Sequence, residues 1–197
     1  MQAILDAGLD ADVRAVISNK ASAGGLEVAT KAGIPTQVVE HRKFADRVHF
    51  DLALGDAIAA HRPDLIVLAG FMRILTAEFL NRFEGRIMNI HPSLLPAFPG
   101  LDTHRHALAE GVRFHGCTVH FVTPQLDHGP IVVQAAVPVF PDDNEERLAA
   151  RVLEQEHVVF PQAIRWFIEG RLAVVDGRVT VSGGVSHPRA IVSPLAQ

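Results

Sequence analysis

An almost uninterrupted apolar run at residues 64–69 constrains the fold of this chain more than any other feature. A run of strand length without polar alternation is typical of a strand covered on both faces of a sheet. Further strands are predicted at 13–17, 36–39, 86–91, 116–122 and 131–139, helices at 23–32, 44–61, 77–83, 103–110 and 144–169, and a hairpin at 172–181. This alternation predicts an α/β fold with an open, mostly parallel twisted sheet, parallel in its first half, and helices on both faces.

The length of 197 residues suits one domain, which we expect at 1–181, followed by a flexible tail at 182–197 that has no periodicity. No apolar run approaches the roughly 18 residues of a membrane helix, and a net charge of −4 does not favour nucleic-acid binding. The single cysteine, Cys117, excludes an internal disulfide and suits a reducing cytoplasm. We therefore expect a cytoplasmic protein without membrane or nucleic-acid partners, and the oligomeric state stays open.

Two polar side chains emerge together from the predicted strand at 86–91. Alternation places Asn89 and His91 on one face, and Pro92 ends the strand because it has no N–H to donate. Open α/β sheets bind ligands at the carboxyl ends of their strands. An amide that donates to an oxyanion and an imidazole that transfers protons would suit catalysis there. The alternative is that both side chains only satisfy loop backbone groups.

Asp127 and Arg73 are two further candidates. Asp127 precedes His128, Gly129 and Pro130, which is ordinary turn composition, so it gains a role only if its carboxylate faces His91. Arg73 lies among large apolar residues directly after a buried strand, where it could pair an anionic ligand beside an apolar slot. A solvated arginine on a packed loop explains the same pattern.

Metal and nucleotide motifs are missing from the sequence. The 11 histidines form no set with recognised zinc spacing, so no metal is expected. There is no Walker loop, G-x-G-x-x-G or G-x-S-x-G motif, which removes most support for a dinucleotide dehydrogenase or a serine hydrolase.

Several strings resemble the phosphoribosylglycinamide formyltransferase family, from residue 1 to about residue 172. They are Val-Leu-Ala-Gly-Phe-Met-Arg-Ile-Leu at 67–75, Asn-Ile-His-Pro-Ser-Leu-Leu-Pro-Ala-Phe-Pro-Gly at 89–100, Thr-His-Arg at 103–105, His-Gly-Cys-Thr-Val-His-Phe-Val at 115–122 and Leu-Asp-His-Gly-Pro-Ile at 126–131. The resemblance implies a Rossmann-like formyltransferase fold. It also implies formyl transfer from 10-formyltetrahydrofolate, the co-substrate, to the amine of glycinamide ribonucleotide in purine (IMP) synthesis.

The resemblance also implies residue roles. Asn89, His91 and Asp127 match the catalytic trio, and Glu156 matches a residue that binds the ribonucleotide. The positions that match the folate pocket are Arg47, Met72, Arg73, Ile74, Leu75, Asn89, Thr123, Pro124, Gln125, Leu126 and Asp127.

Two departures from the family pattern stand out. His128 occupies a position where the family often has a second glycine. Family members also open with a buried strand and a Gly/Ser/Asn phosphate loop, and Met1 aligns inside the helix that follows, so about 12 to 15 residues are expected to be missing. Either the natural start lies upstream, or the fragment is real and should fold poorly and bind the ribonucleotide weakly.

Three other functions remain open at this point. A formyltetrahydrofolate hydrolase would share the trio, and methionyl-tRNA formyltransferase would need a further C-terminal domain, for which only 25 residues follow Leu172. A folate-binding fragment without activity would not need all three catalytic residues.

Overall fold

The computed structural model describes residues 1–183 and residue 193. By its internal contacts the chain divides into two compact units, the first at Met1–Ile87 and the second beginning at Met88. Among the described residues, no helix has the length and apolar character needed to cross a bilayer.

The first unit alternates helices with short strands. It contains α1 (Gln2–Asp6), β1 (Val16–Ser18), α2 (Gly24–Lys31), β2 (Thr36–Val38), a 3-10 helix (His41–Lys43), α3 (Arg47–Ala59), β3 (Ile66–Leu68) and α4 (Ala77–Arg82). Strands β1 and β2 pair in parallel, with Val16 opposite Thr36, and α2 connects them. This βαβ arrangement is the parallel pairing predicted for the first half of the chain.

Polar side chains set the starts of α3 and α4. The Asp46 carboxylate accepts a hydrogen bond from the backbone N–H of His49 at 2.9 Å, and the Thr76 hydroxyl accepts one from Phe79 at 3.4 Å. Both contacts satisfy N–H groups that have no partner within the first turn of a helix. The buried Asp51 of α3 in turn accepts the backbone N–H of Thr76 at 2.6 Å, so it fixes the start of α4 against α3.

The second unit is built on an antiparallel sheet. Its elements are β4 (Ile87–His91, from Met88 onward), α5 (Thr103–Ala109), β5 (Phe114–Phe121), β6 (Ile131–Pro138), α6 (Glu145–Ile168), β7 (Leu172–Val175) and β8 (Arg178–Val181). Strand β5 pairs antiparallel with both β4 and β6, and β7 and β8 form a separate hairpin. The buried core of the unit joins α5, β5, β6 and α6 through Ala107, Cys117, Val137, Val139, Leu148 and Val152.

Alternation gives the sheet of the second unit an apolar and a polar face. Directly opposed residues of an antiparallel pair lie on the same face. One face therefore carries Ile90 and Cys117 toward the core, together with the fully buried Val119, whereas the other carries Asn89 opposite His120. A polar cluster on the second face follows from register alone.

The predicted α/β class and all the predicted helices and strands are confirmed, with shifted boundaries. The first strand was predicted at 13–17 but lies at Val16–Ser18, because its partner β2 follows Pro35, which has no N–H to extend the ladder. Helix α3 begins at Arg47, not at residue 44, since Asp46 caps it. The predicted tail at 182–197 lies almost wholly outside the described residues.

Candidate active site

Asn89, His91 and Asp127, the trio that the family resemblance implies, lie together in the second unit. The Nδ1 atom of His91 lies 3.5 Å from Oδ2 of Asp127, and both side chains are nearly buried, at 6% and 10% exposure. Asn89 joins them through His120, whose Nε2 lies 3.3 Å from Asn89 Nδ2 and 4.0 Å from Asp127 Oδ1. One amide, two imidazoles and one carboxylate thus share a single buried cluster.

The His91 ring is held from both sides. Its Nε2 donates a hydrogen bond to the Phe98 carbonyl at 3.0 Å, and its Nδ1 faces the Asp127 carboxylate. Both neighbours are acceptors, so each can accept a hydrogen bond from the ring nitrogen that faces it. The Nδ1 contact of 3.5 Å is longer than an ordinary hydrogen bond, so an Nδ1–H is free to donate to a further oxygen.

A strained turn supports Asp127. Its φ of 48° lies in the left-handed region, and its Oδ2 accepts the backbone N–H of Gly100 at 2.8 Å. Gly129 packs so closely under the turn that a Cβ there would lie 1.8 Å from the Phe121 carbonyl oxygen. The turn composition read from the sequence therefore does two things: it permits the backbone path, and it places the carboxylate against His91.

Thr118 fixes the Pro-rich loop at 92–100, which follows β4. Its hydroxyl donates to the Ser93 carbonyl at 2.6 Å and accepts the backbone N–H of Leu95 at 3.0 Å. The Gln134 amide donates both to the Thr118 hydroxyl and to the Leu95 carbonyl, each at 2.9 Å. The loop that supplies the Phe98 carbonyl and the Gly100 N–H is thereby anchored to β5 and β6.

The buried His115 and the half-buried His104 lie beside this loop. His115 Nε2 is 3.1 Å from His104 Nδ1, and the Phe98 ring packs edge-on against His115. Burial lowers the pKa of His115 to about 4, and it also lowers the pKa of His104. Both rings are therefore uncharged near neutral pH and form part of the packing under the loop.

The predicted folate-contact residues divide between the two units. In the first unit Arg47 begins α3, Met72 and Ile74 are exposed, and Leu75 is buried. The Arg73 guanidinium lies 5.0 Å from the centroid of the Phe50 ring, and its buried Nε has no hydrogen-bond partner among the described residues. An arginine beside exposed apolar side chains is suited to an anionic ligand with an apolar body.

In the second unit, the segment at 123–127 leads into the Asp127 turn. The Thr123 hydroxyl donates to the Gln125 carbonyl at 3.3 Å, Pro124 and Gln125 are exposed, and Leu126 is 53% exposed.

Glu156 lies on α6, where burial raises the pKa of its carboxyl group. It interacts electrostatically with Cys117 on the apolar face of β5. Within the described part of the chain, no hydrogen bond or ion pair joins it to the Asn89, His91 and Asp127 cluster.

Sequence reasoning missed His120. It lies among apolar residues on β5, and this pattern indicates a histidine buried in the core for packing, without a role in the site. Its position opposite Asn89 in the β4–β5 pair would have indicated a role in the site, but this position is known only once the strand register is known. A bulge adjoins it, since Val119 pairs with Val133 but His120 pairs with Ile131, and bulges are frequent beside active sites. Within the described residues, no group of three or more His, Cys, Asp or Glu side chains could hold a metal ion.

Comparison with known proteins identifies the family of the chain. The model of the formyl transferase family matches residues 1–164. Phosphoribosylglycinamide formyltransferase of Escherichia coli (strain K12) is 49% identical over 187 residues, which cover 93% of this chain and 88% of that protein.

The chain is also similar to solved structures of a transformylase and a deformylase. Glycinamide ribonucleotide transformylase 1 from Symbiobacterium toebii superposes with a TM-score of 0.89 at 48% identity, over 91% of this chain and 87% of its own. A formyltetrahydrofolate deformylase from Pseudomonas syringae pv. tomato superposes with a TM-score of 0.84 at 29% identity, over 92% of this chain and 62% of its own. The chain belongs to the formyl transferase family.

Proposed function

We propose that this protein transfers the formyl group of 10-formyltetrahydrofolate to the amine of glycinamide ribonucleotide, a step of purine biosynthesis. The observation that carries the proposal is the cluster in which His91 Nδ1 lies 3.5 Å from Asp127 and Asn89 is joined to them through His120. Membership of the formyl transferase family and 49% identity to a protein named for this activity support it.

The chemistry needs no enzyme nucleophile. The substrate amine attacks the formyl carbon, the carbonyl electron pair moves onto oxygen, and a tetrahedral oxyanion forms. Asn89 Nδ2 and the Nδ1–H of His91 are the donors that would stabilise this oxyanion, and losing one such donor typically costs about 3 kcal/mol of barrier. The intermediate then collapses: the carbonyl re-forms, the bond between the formyl carbon and the folate nitrogen breaks, and that nitrogen takes up the proton that the attacking amine gave up.

Asp127 has two roles in this scheme. Its carboxylate stabilises the positive charge of His91 while the oxyanion exists. It also provides the base that accepts the proton lost by the attacking amine, directly or through a water molecule. The nearly complete burial of both side chains strengthens this electrostatic contribution.

The remaining assignments concern binding. Arg47, Arg73 and the apolar side chains of Met72, Ile74 and Leu75 are proposed to contact the folate, as is the segment at 123–127. Glu156 is proposed to contact the ribonucleotide. The Arg73 Nε has no hydrogen-bond partner within residues 1–183 and lies beside the exposed Met72 and Ile74, which supports the folate assignment. We place the reaction in the cytoplasm, in agreement with a single free cysteine.

The test is formyl-donor consumption measured with and without glycinamide ribonucleotide, with the formylated product identified by mass spectrometry. The proposal expects consumption only when the ribonucleotide is present. Equal consumption without it would instead identify a hydrolase, the activity named for the Pseudomonas relative. Donor binding without any turnover would identify a folate-binding protein without activity.

A further inference from the structure

His120 occupies the central position of the cluster, although the proposed reaction assigns it no chemistry. It is 2% exposed and lies directly opposite Asn89 in the β4–β5 pair. Its ring contacts three groups: the Phe121 carbonyl, the Asn89 amide and, at longer range, the Asp127 carboxylate. These contacts determine how the Asn89 amide is oriented.

The tautomer of His120 follows from its neighbours. Nδ1 lies 3.0 Å from the Phe121 carbonyl oxygen, which can only accept, so Nδ1 carries the proton. In an uncharged ring Nε2 then presents a lone pair. Asn89 meets this lone pair at 3.3 Å, and only the NH₂ side of its amide can donate to it.

Electrostatics keep that lone pair available. Burial lowers the pKa of His120, and the nearby His91 acts in the same direction. The Phe121 carbonyl and the Asp127 carboxylate oppose this effect, but burial is the largest cause. A doubly protonated His120 would instead attract the amide oxygen of Asn89 and turn the NH₂ group away.

We propose that His120 is a positioning residue: its Nε2 lone pair binds one N–H of Asn89 and so leaves the other N–H of the same amide directed at the oxyanion of the formyl-transfer intermediate. The inference rests on the proposed function for its consequence in turnover. If the amide were reversed, Asn89 would present its own oxygen to the developing negative charge, which would raise the barrier.

Two substitutions separate positioning from packing. In His120→Gln the side-chain amide oxygen can occupy the place of Nε2 and accept from Asn89, whereas His120→Met fills the space without an acceptor. We expect His120→Met to lower kcat by about 10- to 100-fold with little change in KM, because the lost interaction acts in the transition state. His120→Gln should restore most of the turnover.

A double-mutant cycle with Asn89→Ala tests whether the effect passes through Asn89. If it does, adding His120→Met to Asn89→Ala should lower kcat by less than about 2-fold more. Fully multiplicative losses, or a His120→Met variant as active as the wild type, would overturn the inference. Equal losses in the Met and Gln variants would do the same, since they indicate packing alone.

An NMR measurement keeps the inference separate from the proposed function. The ¹⁵N shifts of the His120 ring should report a proton on Nδ1 and a lone pair on Nε2. The side-chain NH₂ signal of Asn89 should shift in His120→Met and much less in His120→Gln. Wild-type protein that fails to formylate the ribonucleotide yet gives these spectra contradicts the proposed function only. A proton on Nε2 refutes the positioning role, whatever the activity and even if His120→Met does not fold.

Discussion

Replacement of Asp127 by asparagine removes the carboxylate charge with the smallest change of shape. Asp127 has a φ of 48°, a conformation that asparagine tolerates better than most residues. Asparagine also keeps an oxygen that can accept the Gly100 N–H, which now donates to Asp127 at 2.8 Å. We therefore expect the free energy of unfolding to change by less than about 1 kcal/mol.

The effect on turnover follows from the distance between Asp127 and His91, whose ring is positively charged in the proposed transition state. Asp127 Oδ2 lies 3.5 Å from His91 Nδ1, and two unit charges about 4 Å apart interact by about 4 kcal/mol at an effective dielectric constant near 20. The carboxylate and the ring are 10% and 6% exposed, so water screens them little. Losing most of this interaction should raise the barrier by about 3 kcal/mol, roughly a 100- to 1,000-fold fall in kcat.

Steady-state formyl transfer measures this change, and Asp176→Asn is its matched control. Asp176 has the same φ of 48° but lies exposed in the turn between β7 and β8, so the control makes the same chemical change on the same backbone. The control should keep wild-type activity. An Asp127→Asn enzyme that retained more than about a third of wild-type kcat would refute the electrostatic role.

Three further predictions concern stability and reactivity. Burial lowers the pKa of His115 from 6.5 to about 4, so the unfolded chain takes up the proton first as the pH falls through this window. In urea titrations, the free energy of unfolding of the wild type should therefore fall by about 2 kcal/mol more than that of His115→Gln between pH 7 and pH 5. Equal falls in the two proteins would contradict this. In the same assay, Gly129→Ala should lower the free energy of unfolding by about 3 kcal/mol or more, since its Cβ would lie 1.8 Å from the Phe121 carbonyl oxygen. Gly25→Ala is the control, with open space around its Cβ, and equal stability of the two variants would refute the clash. Cys117, buried and with its pKa raised to about 12, should react with a thiol reagent only after unfolding; rapid labelling of folded protein would refute its burial.

Local pattern was sufficient for β4 and its two polar residues. Alternation placed Asn89 and His91 on one face, Pro92 marked the end of the strand, and the structure agrees on both points. These are properties of a single strand, and the two-residue period of a strand determines them without knowledge of its neighbours. The helix starts were less certain because a capping side chain such as Asp46 determines the first residue.

Properties that depend on pairing between distant segments were harder to predict. The position of Asp127 depends on Gly129 packing against Phe121 and on the Gly100 N–H, neither of which is visible in the turn composition. His120 became recognisable only once the β4–β5 register placed it opposite Asn89. The family resemblance pointed to Asp127 as a candidate without knowledge of these contacts, whereas no sequence pattern around His120 pointed to a role for it.

The Thr118 and Gln134 hydrogen bonds that anchor the Pro-rich loop have a consequence for how a ligand is received. The Phe98 carbonyl and Gly100 N–H already hold His91 and Asp127 in place, so binding need not freeze this segment out of a broad ensemble. An arriving ligand meets dipoles whose directions were set when the chain folded. Such preorganisation is the condition under which fixed donors lower a barrier most, because no reorientation is required as charge develops.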